Sequence, residues 1–214
     1  MEKESLKKVK KTSSKKVIKS NVSHNKPKKE VNEEYEDNWI YILLLSAIVI
    51  LGQSLKSYTF SVGDFSLTYS LFLLPIIYFL TNYITKKKGY KKSVMGISVS
   101  AIAMILFVMI MNFVTGRGFD FSNVSGDFCG YVVSQFVNLT IYQFLLDNTK
   151  SNFILILLTY IFALVVNYLF YSLICMNTLV LDNYWIAYFT TLIFQIVISI
   201  LLTFIDIQIK RGTV

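Results

Sequence analysis

From Trp39 onward the sequence alternates long apolar runs with short polar joints, and this alternation constrains the fold more than any other feature. Each run is roughly 17–25 residues, the length at which a helix crosses a hydrocarbon core. The runs are Trp39–Leu55, Leu67–Thr85, Ser93–Thr115, Gly126–Leu146, Asn152–Met176 and Trp185–Ile207. Lipid offers the backbone no hydrogen bonds, so a spanning segment must satisfy its own, and helices are expected. A β-barrel would need shorter segments of alternating polarity. The spacing predicts an all-α, polytopic integral membrane protein, a six-transmembrane-helix bundle over residues 39–214. Pro75 falls near the centre of the second run and is expected to kink it.

The charges are segregated. Residues 1–38 hold 11 of the 21 Lys and Arg and 7 of the 13 Asp and Glu. The other 176 residues are about 9% charged, against about 25% in a soluble globule. An ordinary soluble domain is excluded on that ground, and no specific nucleic-acid partner is expected. With the N-terminus inside, 19 basic residues fall on the cytoplasmic side. They sit in the opening segment, the Lys86–Lys92 loop, at Lys150, and at Lys210 and Arg211. Only Lys56 and Arg117 fall outside. This obeys the positive-inside rule and predicts six spans with both termini cytoplasmic, N-in and C-in. Short joints suit a multi-pass protein of a bacterial plasma membrane.

Residues 1–38 are rich in Lys, Ser, Glu and Asn and hold few apolar residues, so a disordered cytoplasmic tail is expected. No apolar core follows the basic start within signal-peptide length. The tail's lysines could contact anionic lipid headgroups. Its interleaved acids lower its net charge to +4, which suits a solvated topogenic tail.

Polar side chains inside the runs carry the chemical information: Asn82, Ser134, Gln135, Asn138, Gln143, Asn167 and Gln195. In the fourth run, Tyr131, Ser134, Gln135, Asn138 and Tyr142 recur at helical spacing on one face. A polar stripe in lipid is costly, so it is expected to face the bundle interior. It reads either as a substrate pocket for a neutral heterocycle, with amides that donate and accept, or as hydrogen-bonding glue between helices. Gly52, Gly96, Gly126 and Gly130 read as packing positions. Asp127 lies at the outer edge of the fourth run. Asp206 lies at the inner edge of the sixth, where Lys210 one turn on is its expected partner.

No catalytic constellation is visible, so an enzyme is not expected. A Walker motif is lacking, as are a Ser–His–Asp set, a metal-binding HExxH and any cofactor motif. The one histidine, His24, lies in the tail. Cys129 and Cys175 lie in apolar runs without metal-ligand spacing and read as small core residues.

Three stretches resemble the VUT family, six-helix membrane proteins described as queuosine-precursor transporters and distantly related to ECF-type vitamin-binding components. The first is FLLPIIYFLTNYITKKKGYKK (residues 72–92), with Pro75, Thr85, Gly89, Lys91 and Lys92 in place. The second is YVVSQFVNLTIY (131–142), where Ser134 and Gln135 match. The third is TYIFALVVNYLF (159–170). The resemblance covers about residues 40–210. Where the family carries acids, this chain has Asn82, Lys86, Asn138 and Asn167, and the arginine before the third stretch is missing. An amide still donates and accepts hydrogen bonds but does not ionise.

The resemblance implies import of a queuosine precursor, a 7-deazaguanine base such as preQ0 or preQ1, or queuine, or a related small molecule. Ser134, Gln135, Asn138 and Asn167 would hydrogen-bond the substrate, with Asn82 as an addition. Tyr131 and Tyr142 would stack on a planar ring. Two alternatives stand beside this. One is a substrate-binding component of an ECF-type vitamin uptake system, which needs an ATP-driven partner module. The other is a non-transporting membrane scaffold that uses the basic tail.

Overall fold

The computed structural model describes residues 28–63, 65–116, 121–148, 152–175 and 181–211. Six helices dominate: α1 (Lys28–Leu55), α2 (Leu73–Lys88), α3 (Tyr90–Thr115), α4 (Phe121–Asn148), α5 (Phe153–Cys175) and α6 (Leu181–Arg211). Four segments are long and apolar enough to cross a membrane: Tyr90–Thr115, Val124–Asn148, Phe153–Cys175 and Tyr188–Gln208. Trp39–Leu55 within α1 is a shorter apolar helix.

The polarity of α6 is inverted relative to a surface helix of a water-soluble protein. On α6, Ile193, Val197, Leu201 and Phe204 are exposed, while Gln195, Ser199, Thr203 and Asp206 are buried at the same spacing. In water, such an apolar exterior would be an aggregation hazard; in lipid it is the favourable arrangement. The buried hydroxyls are satisfied within the helix. Ser199 donates to the Gln195 carbonyl (2.8 Å) and Thr203 to the Ser199 carbonyl (2.6 Å).

The short helix α2 is the hub of the bundle and touches each of the other five helices. Its Ile77, Leu80 and Ile84 join one core with Leu45 and Val49 of α1, Ile97 and Met104 of α3, and Leu139 of α4. Its Tyr78 joins a second core with Tyr142 of α4 and Ile156, Tyr160 and Leu164 of α5. Gly89, at φ +85°, turns the chain directly from α2 into α3. A hydroxyl pair, Thr85 with Ser93 at 2.8 Å, staples the two helices across that turn.

Helices α4 and α5 pack along a glycine seam. A Cβ on Gly130 would lie 2.8 Å from the Asn167 carbonyl oxygen, and one on Gly126 would lie 2.6 Å from Cys175 Sγ. The spacing Gly126-x-x-x-Gly130 is the small-residue pattern that lets membrane helices approach closely. Cys175 is buried and Cys129 partly buried, and neither forms a disulfide.

The structure corrects four expectations. Helix α1 begins at Lys28, so residues 28–38 are helical rather than disordered; residues 1–27, including His24, lie outside the described residues. Lys and Glu are good helix formers, and an established apolar helix extends at one hydrogen bond per added residue. The second run is not one helix from Leu67 to Thr85. Thr59–Val62 and Phe65–Thr68 form an antiparallel hairpin with Thr59 opposite Thr68, followed by a 3-10 turn at Tyr69–Phe72. Gly63, at φ +59°, supplies the tight turn, and the flanking Thr, Phe and Val residues suit strands. Pro75 consequently sits in the first turn of α2, where its missing N–H breaks no helical bond and no mid-helix kink is required. Finally, Asp206 is not on the bundle surface but is only 2% exposed. The Tyr142 hydroxyl donates to its carboxylate, 3.1 Å from each oxygen. The Lys210 side chain lies outside the described residues.

Candidate functional site

A cavity of about 460 Å³ opens where the hairpin exit meets the bundle, and all six helices contribute to its wall. From α1 comes Gln53 and from the turn just after it Lys56; from the hairpin exit and 3-10 turn, Thr68, Ser70 and Leu71. Helices α2 and α3 supply Ile77 and Met104, and α4 supplies Asp127 and Tyr131. Asn167, Tyr168 and Tyr171 of α5 and Gln195 of α6 complete it. The volume falls in the range of small-molecule sites, and the mixture of apolar wall and a few fixed polar groups is typical of them.

The charges in the wall cancel. Lys56 at the end of α1 forms an ion pair with Asp127 near the start of α4. Its ammonium also lies 6.0 Å from the centroid of the Tyr171 ring. The hydroxyls are tied to neighbours: Thr68 with Ser70 (2.7 Å), and Tyr131 with Ser100 of α3 (2.7 Å). This cavity therefore suits an uncharged or internally balanced ligand with polar edges and flat apolar faces.

Of the seven residues expected to bind substrate, Tyr131 and Asn167 line this cavity. Ser134 stands behind Asn167: it accepts from Asn167 Nδ2 (3.3 Å) and donates to the Tyr131 carbonyl (3.0 Å). Asn82 and Asn138 face each other in a reciprocal amide pair. Asn138 Nδ2 donates to Asn82 Oδ1 at 2.8 Å, and Asn82 Nδ2 donates to Asn138 Oδ1 at 3.3 Å. Both side chains are fully buried. Tyr142 is held by Asp206 in the second core and is not in the cavity wall. Gln135 is fully buried, and neither of its amide atoms has a hydrogen-bond partner among the described residues. The stripe on α4 thus faces the interior but divides, with one end at the cavity and the rest in the bundle frame.

Gln53, Lys56, Asp127 and Gln195 are cavity residues that the candidate set did not contain. A usable signal was present: Lys56 closes the first apolar run and Asp127 opens the fourth, opposite charges expected on the same side of a six-span bundle. Among the described residues, no group of three or more His, Cys, Asp or Glu could hold a metal ion. No family model, curated protein or solved structure matches the chain.

Proposed function

We propose that this protein is a six-span membrane transporter that imports a small planar heterocycle, of the queuosine-precursor type. Both termini are cytoplasmic. The observation that carries this reading is the 460 Å³ cavity of balanced charge, walled by Tyr131, Tyr168 and three carboxamides, inside an apolar-faced bundle. Four segments qualify as spans by themselves. The apolar part of α1, at 17 residues, reaches about 26 Å, and the 3-10 turn with α2 as far as Thr85 reaches about 28 Å. Both lengths match a hydrocarbon core of roughly 30 Å. The distribution of basic residues then supports the orientation.

In this reading Tyr131 and Asn167 contact substrate, joined by Gln53 and Gln195. Ser134 orients Asn167. The Asn82–Asn138 pair and Tyr142 hold the frame around the site. Transport here is binding and release without covalent change to the ligand. The test is rescue: bacteria lacking queuosine synthesis and their own importer receive this chain and low concentrations of preQ0, preQ1 or queuine. Queuosine in tRNA is the expected result. Its absence, with the protein verified in the membrane, sinks the substrate assignment.

A further inference from the structure

One end of the bundle holds the cavity, and the other holds a buried carboxylate. Asp206 lies about 16 Å beyond Gln195 along α6. Nearby, Phe204 packs against Phe153 at the start of α5, with ring centroids 4.8 Å apart. Among the described residues, Asp206 is the one Asp or Glu with a buried side chain, 2% exposed. Tyr142 of α4 donates its hydroxyl to the carboxylate, 3.1 Å from each oxygen. The buried Tyr160 hydroxyl of α5 lies within electrostatic reach of the same group. Helix α2 packs on α6, and its last turn carries Lys86, whose ammonium is buried. Asp147 of α4 is exposed and accepts from Gln143. The 3-10 turn meets α6 farther back, where Leu71 accepts from Gln195.

A joint between these helices does not require a charge. Asn82 and Asn138 tie α2 to α4 with amides, and the other buried polar residues of α6, Gln195, Ser199 and Thr203, are neutral. An ionised carboxylate withdrawn from water is costly, and inside membrane bundles such groups mark the paths of protons and ions. What Asp206 has, and an amide in its place would lack, is a change of charge. The surroundings favour a proton over a metal ion. Tyr142 turns its O–H toward the carboxylate, whereas a bound cation needs several oxygen lone pairs turned toward itself.

We infer that Asp206 is the proton-coupling residue of this protein: its carboxylate binds one proton and releases it in each transport cycle, so that a proton gradient drives import. The proton comes from the outer solution, converts the carboxylate to a neutral carboxyl, and leaves to the cytoplasm; no other bond is made or broken. Neutralising Asp206 weakens the charged joint between α4 and α6, which links the proton to the closure of that end of the bundle. Tyr142 and Tyr160 are positioning residues. The inference rests on the transport reading and supplies its energy source.

The test uses the purified full chain in proteoliposomes, with labelled preQ0 and the membrane potential clamped by potassium and valinomycin. Counterflow at equal pH shows whether the chain carries preQ0, and a pH step shows whether protons drive it. A gradient of about one pH unit, alkaline inside, is expected to raise the accumulated ratio toward about tenfold for one proton per molecule. A sodium gradient at equal pH should raise nothing. Asp206→Asn, which cannot ionise, should keep counterflow, lose the pH-driven accumulation, and exchange at a rate that does not fall as pH rises. A merely structural joint would keep or lose exchange and accumulation together. Where the Asn variant does not fold, Asp206→Glu decides: a shifted pH midpoint of exchange upholds the assignment and an unmoved one overturns it. Wild-type counterflow without response to the pH step overturns the inference, as does accumulation driven by sodium instead, or pH-driven accumulation intact in Asp206→Asn. Absence of counterflow by folded wild-type protein removes the transport reading and this inference with it.

Discussion

Asn82 and Asn138 offer a test of which polar residues build the frame. Their side chains are fully buried and exchange two hydrogen bonds, 2.8 and 3.3 Å, between α2 and α4. Asn138→Leu keeps the branched heavy-atom shape but removes both bonds. It strands the Asn82 amide against a hydrocarbon neighbour. An orphaned buried polar group costs about 1–3 kcal/mol in soluble proteins. Interhelical bonds within membranes average about 0.6 kcal/mol, with a maximum of about 1.7. Two bonds lost together therefore put each single variant about 1–3 kcal/mol below wild type. The double variant Asn82→Leu with Asn138→Leu leaves no orphan and should fall within about 1 kcal/mol of wild type. The assay is reversible unfolding in mixed micelles, analysed as a double-mutant cycle. Destabilisation of the double variant equal to the sum of the singles would refute the pairing. The double variant should also keep substrate uptake, because neither residue lines the cavity; loss of uptake in a stably folded double variant would return both to the binding site.

Further outcomes are expected. Gly130→Ala places a Cβ 2.8 Å from a backbone oxygen, so α4 and α5 must separate, at about 1–3 kcal/mol. Gly52→Ala meets only Leu73 Cδ1, at 3.9 Å, and should be nearly neutral in the same unfolding assay. Exchanging the charges as Lys56→Asp with Asp127→Lys should recover binding that either single change weakens. The pair is partly exposed, so its contribution to stability stays below about 1 kcal/mol. For topology, a thiol at Gly63→Cys should react with an impermeant reagent added outside intact cells, and one at Lys87→Cys should not; the reverse pattern would invert the orientation. Removing residues 1–27 should leave uptake largely intact, whereas a scaffold acting through its basic tail would lose its function.

The long helices were legible because length and apolar content alone define them. Helices α3, α4, α5 and α6 needed no knowledge of their partners. The hairpin was not legible, because Leu67 lies only four residues before the apolar stretch that leads into α2, close enough to pass as its first turn. In the fold Leu67 is a buried strand residue, 2% exposed. The Gly63-Asp64 step between alternating Phe, Val and Leu residues was the available turn signal. Displacing the start of α2 to Leu73 moved Pro75 from helix centre to helix start. The inward direction of the α4 stripe was legible from the cost of polar groups in lipid. Its division was not, because Asn138 meets Asn82 from 56 residues away and Tyr142 meets Asp206 from 64. Gln195 carried no local mark separating a cavity wall residue from packing, since its partner is the Leu71 carbonyl, 124 residues distant.

Counterflow in proteoliposomes addresses the central proposal most directly, because it detects carrier-mediated exchange without any energy source. Vesicles holding the purified full chain are loaded with unlabelled preQ0 and diluted into a trace of labelled preQ0. Import through the cavity predicts transient accumulation of label above protein-free vesicles, abolished in the Gln195→Met and Asn167→Leu variants. No accumulation by correctly folded wild-type protein would contradict autonomous transport of this ligand.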